Sequence, residues 1–412
     1  MHEIQTAGIL DFGSLERFFQ RVLPDSLDRF AFFIAAFTLA FIVINVMVQT
    51  TAVYTWFERR VLARFQARLG PNRWGPFGML QPIADLIKLM TKEDMVPKIA
   101  DRWSFNLAPI ILVFPTLLVV AVIPFGPDSF LGRLNIGILF VLGVTSVNTI
   151  AIFMAGWGSA NKYAMLGAMR GVAMLVSYEV PMALGVVGVL ILSGSLAMSD
   201  IVIQQNVPFL IVQPLGFLIF IAAASAEMSR TPFDQIEAES ELGSGYNTEY
   251  SSMKFGMLFL GEFMAPLVTG MIVTTLFLSG PRGFDPIPGQ VWFVGKTFAV
   301  VFALLWVRAT WPRLRVDQIM AFAWKGLFGM ALVNIFLIAV EVAVFQDDAG
   351  KISTNSLWIM SAINWAIAIG VIVAVANILG QRNLERPTPV PSPLANMYAL
   401  SLIHISEPTR PY

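Results

Sequence analysis

The chain has 412 residues, with 27 Lys and Arg against 27 Asp and Glu, so its formal net charge is zero. Charged residues make up only 13% and apolar residues 56%, with a mean hydropathy of +0.70, where soluble domains carry roughly 25% charge. These proportions exclude a disordered chain, a nucleic-acid binder and a disulfide scaffold. Cysteine is absent and the two histidines, His2 and His404, lie near the ends, so thiolate-held iron–sulfur clusters, zinc centres and cysteine nucleophiles have no ligand set in this polypeptide.

In chain order, residues 1–29 form an amphipathic N-terminal segment. Phe12, Leu15, Phe18, Phe19, Val22 and Leu23 recur at helical spacing opposite Glu16, Arg17, Gln20 and Arg21, the pattern of a helix lying on a membrane surface. Residues 30–380 read as one all-α polytopic transmembrane domain. Phe30–Phe57, Trp103–Pro127, Leu134–Asn161, Ile201–Ala226 and Ile352–Gly380 hold no charge. Gly171–Ser199, Phe255–Pro281 and Gly326–Gln346 each hold one acid (Glu179, Glu262 and Glu341), and Pro286–Val307 holds Lys296. About 20 apolar residues cross the hydrocarbon as a helix, which gives about nine spans. Pro387, Pro389, Pro391 and Pro393 mark a Pro-rich tail over 381–400, and Ser401–Tyr412 reads as a non-native read-through that carries no functional argument.

Basic residues orient the bundle. With the 58–102 loop inside, one face collects Arg59, Arg60, Arg64, Arg68, Arg73, Lys88, Lys92, Lys98, Arg102, Lys162, Arg170, Arg230, Lys254, Arg308, Arg313, Arg315, Lys325, Arg382 and Arg386. The other face has only Arg17, Arg21, Arg29, Arg133, Arg282, Lys296 and Lys351. The positive-inside rule then sets the N-terminus outside and the 58–102 and 227–254 loops in the cytoplasm.

Three clusters go beyond what a plain membrane filler needs. The first loop holds the acids Glu58, Asp85 and Glu93 among its bases, around Gly70, Pro71, Gly75, Pro76 and Gly78. Arg60, Arg64 and Arg68 share a face if the first helix runs on. Headgroup anchoring is the alternative to a docking surface for a soluble partner, but it needs neither the rigid turns nor the acids. The second cluster packs Glu227, Asp234, Glu237, Glu239, Glu241, Glu249 and Glu262 against only Arg230 and Lys254. Thr231 and Pro232 read as the cap and first residue of a short helix on which Asp234, Glu237 and Glu241 share a face. Carboxylates crowded in that way titrate as a coupled set, unless they are simply a solvated acidic face. The third cluster is intramembrane. Glu179 and Glu262 read as stations on a proton path, with a buried pair between Glu262 and Lys296 or an Arg as the rival, while Glu341, near a span end, is expected to snorkel.

At these residues the chain resembles a known family. ERRVLARFQARLGPNRWGPFGMLQPIADLIKLMTKED (Glu58–Asp94) is similar to the cytoplasmic loop of the H subunit of NADH:quinone oxidoreductase, respiratory complex I, whose mitochondrial counterpart is NADH dehydrogenase subunit one. GWGSANKYAMLGAMRGVAMLVSYEV (Gly156–Val180), AEMSRTPFDQIEAESELGSGYNTEYSSMKF (Ala226–Phe255) and LLWVRATWPRLRVDQIM (Leu304–Met320) are further blocks in the same order.

The resemblance implies a membrane subunit of a proton-translocating oxidoreductase, in a bacterial inner membrane or alternatively the mitochondrial inner membrane. Quinone is the implied substrate. The flavin and iron–sulfur clusters would sit on partner chains: peripheral-arm subunits carrying the terminal cluster, beside small membrane-arm and antiporter-like subunits. It implies that Arg59, Arg68, Asp85, Glu227, Arg230, Asp234 and Glu237 belong to a quinone chamber, and Glu239, Glu241, Glu249, Glu262 and Glu179 to proton coupling. Shorter family members stop after eight spans, so Ile352–Gly380 is an addition here. A heel subunit of a membrane-bound hydrogenase or ferredoxin-driven pump is the alternative. A stand-alone secondary transporter would show inverted repeats with paired broken helices, and the sequence has none.

Overall fold

A chain in hydrocarbon must pair every backbone N–H and C=O internally, which makes helices of the long apolar runs. The computed structural model describes residues 28–126, 134–236, 239–284, 286–346 and 352–384. The N-terminal amphipathic segment, apart from its last two residues, lies outside them, as do Glu237, the Pro-rich tail and the terminal twelve residues.

Helix α1 (Asp28–Phe65) carries the first span and runs about two turns beyond it. A 3-10 turn at Pro76–Gly78 then leads to the short amphipathic α2 (Gln81–Thr91), none of whose residues is buried. Helix α3 (Arg102–Val120) starts under the Asp101 side chain, and α4 (Gly137–Thr145) and α5 (Val147–Gly158) together make one span. The long α6 (Lys162–Ser193) begins where the Asn161 side chain accepts the Tyr163 N–H at 2.9 Å, and it ends at Gly194 in the left-handed region, φ 62°.

The expected span Ile201–Ala226 is present in three pieces: α7 (Met198–Gln204), α8 (Phe209–Val212) and α9 (Pro214–Glu227). Pro208 and Pro214 lack the N–H that a continuing helix needs, and Gln205 and Gln213 leave helical geometry. Side chains satisfy the freed groups. Arg282 Nη1 donates to the Gln205 carbonyl at 3.2 Å, and Ser361 Oγ and Asn364 Nδ2 donate to the Ile211 and Val212 carbonyls at 2.9 Å each. A broken helix is tolerated at membrane depth only under such cover.

Beyond it come α10 (Glu239–Leu242), α11 (Ser252–Phe277), α12 (Gly289–Thr310) and α13 (Val316–Ala321). A π-turn at Phe322–Leu327 joins α13 to α14 (Phe328–Phe345), and α15 (Thr354–Leu384) closes the described chain. Among the described residues eight helical segments are long and apolar enough to cross a bilayer; the broken segment accounts for the difference from nine. By contacts the chain divides into residues 1–365 and 366–412, and the described part of the second is the end of α15.

Within the first unit, α6 packs against α5, α9 and α14, and α11 against α1, α3 and α12. Lipid tails are as apolar as leucine, so close packing rather than water exclusion holds such helices together. Small residues permit it: a methyl group on Gly167 of α6 would fall 2.9 Å from the Gly245 Cα and 3.2 Å from the Tyr246 nitrogen. That contact presses the acidic connection onto α6.

The expected helix beginning at Thr231 and Pro232 does not form; residues 230–236 are irregular. Phe233 and Ile236 are buried there, Phe233 5.3 Å from the Tyr178 ring and Ile236 over Gly171. Leu314 N–H binds the Pro232 carbonyl at 3.1 Å. Tertiary wedging outweighs the local cap signal, so Asp234 and Glu241 do not share a helix face.

Candidate functional site

The last apolar turn of α1 ends in Glu58, which is 2% exposed. Arg230, 6% exposed, donates Nη1 to Glu58 Oε1 at 2.5 Å, and its Nη2 lies 3.5 Å from Glu262 Oε1 of α11. Arg308 of α12 binds the same Glu58 oxygen. The Arg230 guanidinium also sits over the Phe263 ring, 4.7 Å from its centroid. Asp234, half-buried, is near enough to act electrostatically on Glu262. Two acids and two bases from four parts of the chain thus close one internal cluster at the basic end of the bundle. Burial works against the charge on Arg230, but Glu58 and then Glu262 outweigh it and hold the guanidinium above its ordinary range, so it stays charged.

The cluster is not saturated. Glu58 Oε2, Arg230 Nε and Glu262 Oε2 are buried without hydrogen-bond partners. Such a network is mutually dependent: removing one member strands the others in a low-dielectric interior.

Beside it, Arg59 Nη1 lies 2.6 Å from Asp85 Oδ2 and ties the end of α1 to α2, with Gln81 at 3.2 Å and Lys88 at 3.7 Å from Asp85 Oδ1. Burial pushes the Asp85 carboxyl up, yet Arg59, Gln81 and Lys88 together pull it below the usual aspartate range. Arg68 lies past the end of α1, after Ala67 at φ 52°, and is exposed with its Nε on Gln66. It therefore leaves the stripe that Arg60 and Arg64 share.

The acids of the 227–254 segment are distributed rather than crowded. Glu241, 51% exposed, meets Arg170 at 2.6 Å and Arg313 at 4.0 Å; the Arg170 hydrogen bond holds its carboxyl below the usual range. Glu249 accepts from Asn161 Nδ2 at 2.6 Å. Glu239 opens α10.

Glu227 ends α9 and lines an internal cavity of about 60 Å³ with Thr116, Thr145, Asn148, Met182 and Thr269. A single water needs only ~10–15 Å³ on such a measure, so several fit. Asn148 Oδ1 is buried there without a partner. Glu179 of α6, half-buried, acts on Glu227 through its charge.

Of the two partners the sequence offered for Glu262, the structure has the arginine, Arg230; Lys296 Nζ donates instead to the Leu278, Gly280 and Arg282 carbonyls at 2.6, 3.1 and 2.5 Å. One expectation changes. Glu341 does not snorkel; it is buried and accepts from Asn364 Nδ2 at 2.7 Å. Glu58 and Arg308 are the members that sequence reasoning left out of the site. The available signal was a Glu directly abutting a charge-free run, and an Arg in the last turn of the α12 span.

Fold and site together define a multi-pass α-helical membrane protein with an ionised network in its interior. The chain matches the family described as NADH dehydrogenase over residues 37–339. It is 48% identical over 336 residues to the H subunit of NADH-quinone oxidoreductase from Dehalococcoides mccartyi (strain CBDB1), covering 81% of this chain and 89% of that protein. It is 48% identical over 325 residues to the H 1 subunit of the same enzyme from Geobacter metallireducens, covering 76% and 97%, and 50% identical over 302 residues to the H 2 subunit from Geobacter sulfurreducens, covering 71% and 92%. The chain belongs to the NADH dehydrogenase family.

Proposed function

We propose that this chain is a membrane subunit of a proton-translocating NADH:quinone oxidoreductase, with its N-terminus outside and its basic end at the cytoplasmic junction with the peripheral arm. Its share of the work is to admit quinone and to convert quinone reduction into proton movement. A partner chain's iron–sulfur cluster supplies the electrons.

The apolar faces of α1 and α2, with Ile83, Leu86, Ile87 and Met90 exposed on α2, suit an isoprenoid tail. The Arg59–Asp85 pair fixes the angle between those helices and so the width of the opening. Quinone reduction takes up two protons, which leaves negative charge on whichever groups of this chain supply them. That charge arises beside Asp234 and the Glu58–Arg230–Arg308–Glu262 network. Arg230 can strengthen its contact with one carboxylate only by weakening the other, since both hang on one guanidinium. Glu262 then releases or accepts a proton toward Glu227 and its cavity, where the charge of Glu179 is felt, and from there toward antiporter-like neighbours.

The observation that carries this reading is Arg230 shared, inside the bundle, between Glu58 at 2.5 Å and Glu262 at 3.5 Å. The test uses the assembled complex in sealed vesicles. Glu262→Gln is expected to leave NADH-dependent quinone reduction running while lowering the protons moved per electron. Arg59→Ala is expected to slow quinone reduction and spare electron transfer to artificial acceptors on the peripheral arm. Full pumping in Glu262→Gln sinks the coupling role.

A further inference from the structure

A second set of buried polar groups lies in the other half of the bundle, where the broken span leaves helix between α8 and α9. The carbonyls of Ile211 and Val212 are capped from α15. Ser361 Oγ and Trp365 Nε1 donate to Ile211 O at 2.9 and 3.1 Å, and Asn364 Nδ2 donates to Val212 O at 2.9 Å. The same Asn364 amide donates to Glu341 Oε2 at 2.7 Å. Next along the chain, Gln213 turns its amide into a slot between Gly188 of α6 and Gly216 of α9. A methyl group on Gly188 would fall 2.6 Å from Gln213 Oε1 and 2.9 Å from Asn334 Nδ2. On Gly216 it would fall 3.1 and 3.0 Å from the same atoms. Asn334 and Glu341 both lie on the buried stripe of α14.

Glu341, Asn364, Asn334 and Gln213 are each at most 6% exposed. Glu341 Oε1, both amide atoms of Gln213 and Asn334 Nδ2 have no hydrogen-bond partner. The side chain bonded to Glu341 is Asn364 from α15, which also holds the Val212 carbonyl of α8 and neither carries charge nor titrates. A carboxylate that merely glued helices together would be fully bonded or matched by a cation. This one has a free oxygen and no cation partner among the described residues, and the unmatched Asn334 amide lies two turns away on the same buried stripe of α14.

We propose that Glu341, with Asn364, Gln213 and Asn334, forms a proton-binding site in the outer half of the membrane. One proton adds to Glu341 Oε1, making a neutral carboxylic acid, and leaves as a proton; no electron moves. The unmatched amides of Gln213 and Asn334 are the relay groups on the inward side, and α15 holds the site by capping the helix break. The inference rests on the proposed function only for the source of the proton.

The test pairs two readouts on the assembled complex in sealed vesicles: protons moved per NADH oxidised, and the infrared carbonyl band of a protonated carboxylic acid followed across a pH titration. Glu341→Gln keeps the side-chain shape and the acceptor for Asn364, so the cap survives. The expected result is normal assembly and quinone reduction, loss of one carboxylic-acid band, and fewer protons per NADH. Asn364→Leu, which removes both the cap and the Glu341 contact, is expected to lower the yield of complex as well. An unchanged spectrum and an unchanged proton ratio in Glu341→Gln would reduce Glu341 to helix packing and overturn the site. A wild-type requirement for sodium that Glu341→Gln abolishes would overturn it in favour of a metal cation. If wild type moves no protons at all, the functional reading fails, while a band lost in Glu341→Gln still supports the site.

Discussion

The charges at the basic end fall into two groups that look alike in the sequence and behave differently in the fold. Glu58, Arg230, Arg308 and Glu262 are drawn together inside the bundle, and Glu58 serves two arginines. Arg170–Glu241 and Arg59–Asp85 are partly exposed pairs at helix ends, with Arg313 and Lys88 at longer range. An exposed pair contributes about 0–1 kcal/mol because water screens it and the side chains lose freedom in forming it. An internal pair is far more sensitive to loss of one member, since the remaining charge has nowhere to go. The difference favours the inner group for the coupling role proposed above and the outer one for positioning.

The largest effect is expected from Glu58→Ala. It strands Arg230 and Arg308 and should cost about 3–5 kcal/mol, read as loss of the subunit from the assembled complex. Replacing the pair together, as Glu58→Met with Arg230→Met, sharpens the point. Assembly should recover in part relative to Glu58→Ala, because the most deeply buried pair is removed whole while Arg308 and Glu262 each lose one partner, yet proton movement per electron should stay low. Assembly no better than in Glu58→Ala would mean that the network is needed for folding itself.

Next comes Gly167→Val, which forces side-chain atoms against the Gly245 and Tyr246 backbone. The 239–250 connection must lift from α6, and faster proteolysis there should report it. Gly167→Ala should give a weaker form of the same change.

Asp85→Asn is expected to act through pH. The carboxyl of Asp85 lies below its unfolded value, so its contribution to stability is full above pH ~4 and fades as pH falls through the lowered folded value. Thermal unfolding of the purified complex should come at a slightly lower temperature in Asp85→Asn at neutral pH and lose part of its acid sensitivity, so that variant and wild type converge as pH falls. The smallest effect is expected from Glu241→Gln, because the Glu241 side chain is half exposed and the new amide keeps an acceptor for Arg170; pumping and assembly should match wild type. A large loss there would move the coupling role back to the surface.

The spans were legible because bilayer thickness imposes a length and composition that any stretch either meets or does not. Phe30–Phe57 and Phe255–Pro281 needed no tertiary information. The broken span misled the length rule because Pro208 and Pro214 are apolar and raise no alarm on a hydropathy scale, while the groups that rescue the break, Arg282 and Asn364, come from a distance. Arg59–Asp85 and Arg230 were found through motif resemblance. Glu58 was passed over because its partners lie 172 and 250 positions away, and nothing local distinguishes a helix-end acid that meets headgroups from one that meets two arginines. The acidic helix expected at Thr231 failed for a related reason: the slots for Phe233 and Ile236 are made by α6 and the Phe322 region, and no window around Thr231 contains them.

The π-turn at Phe322–Leu327 has a mechanical meaning. An extra residue in one helical turn swings everything after it by about 100°. The face that α14 shows to α9 and α15 is thus dialled by that single widened loop of backbone. Relaxing it to regular geometry would roll the whole of α14 about its axis and carry Asn334 and Glu341 off their present buried stripe, so the winding of one turn sets which side of that helix meets its neighbours.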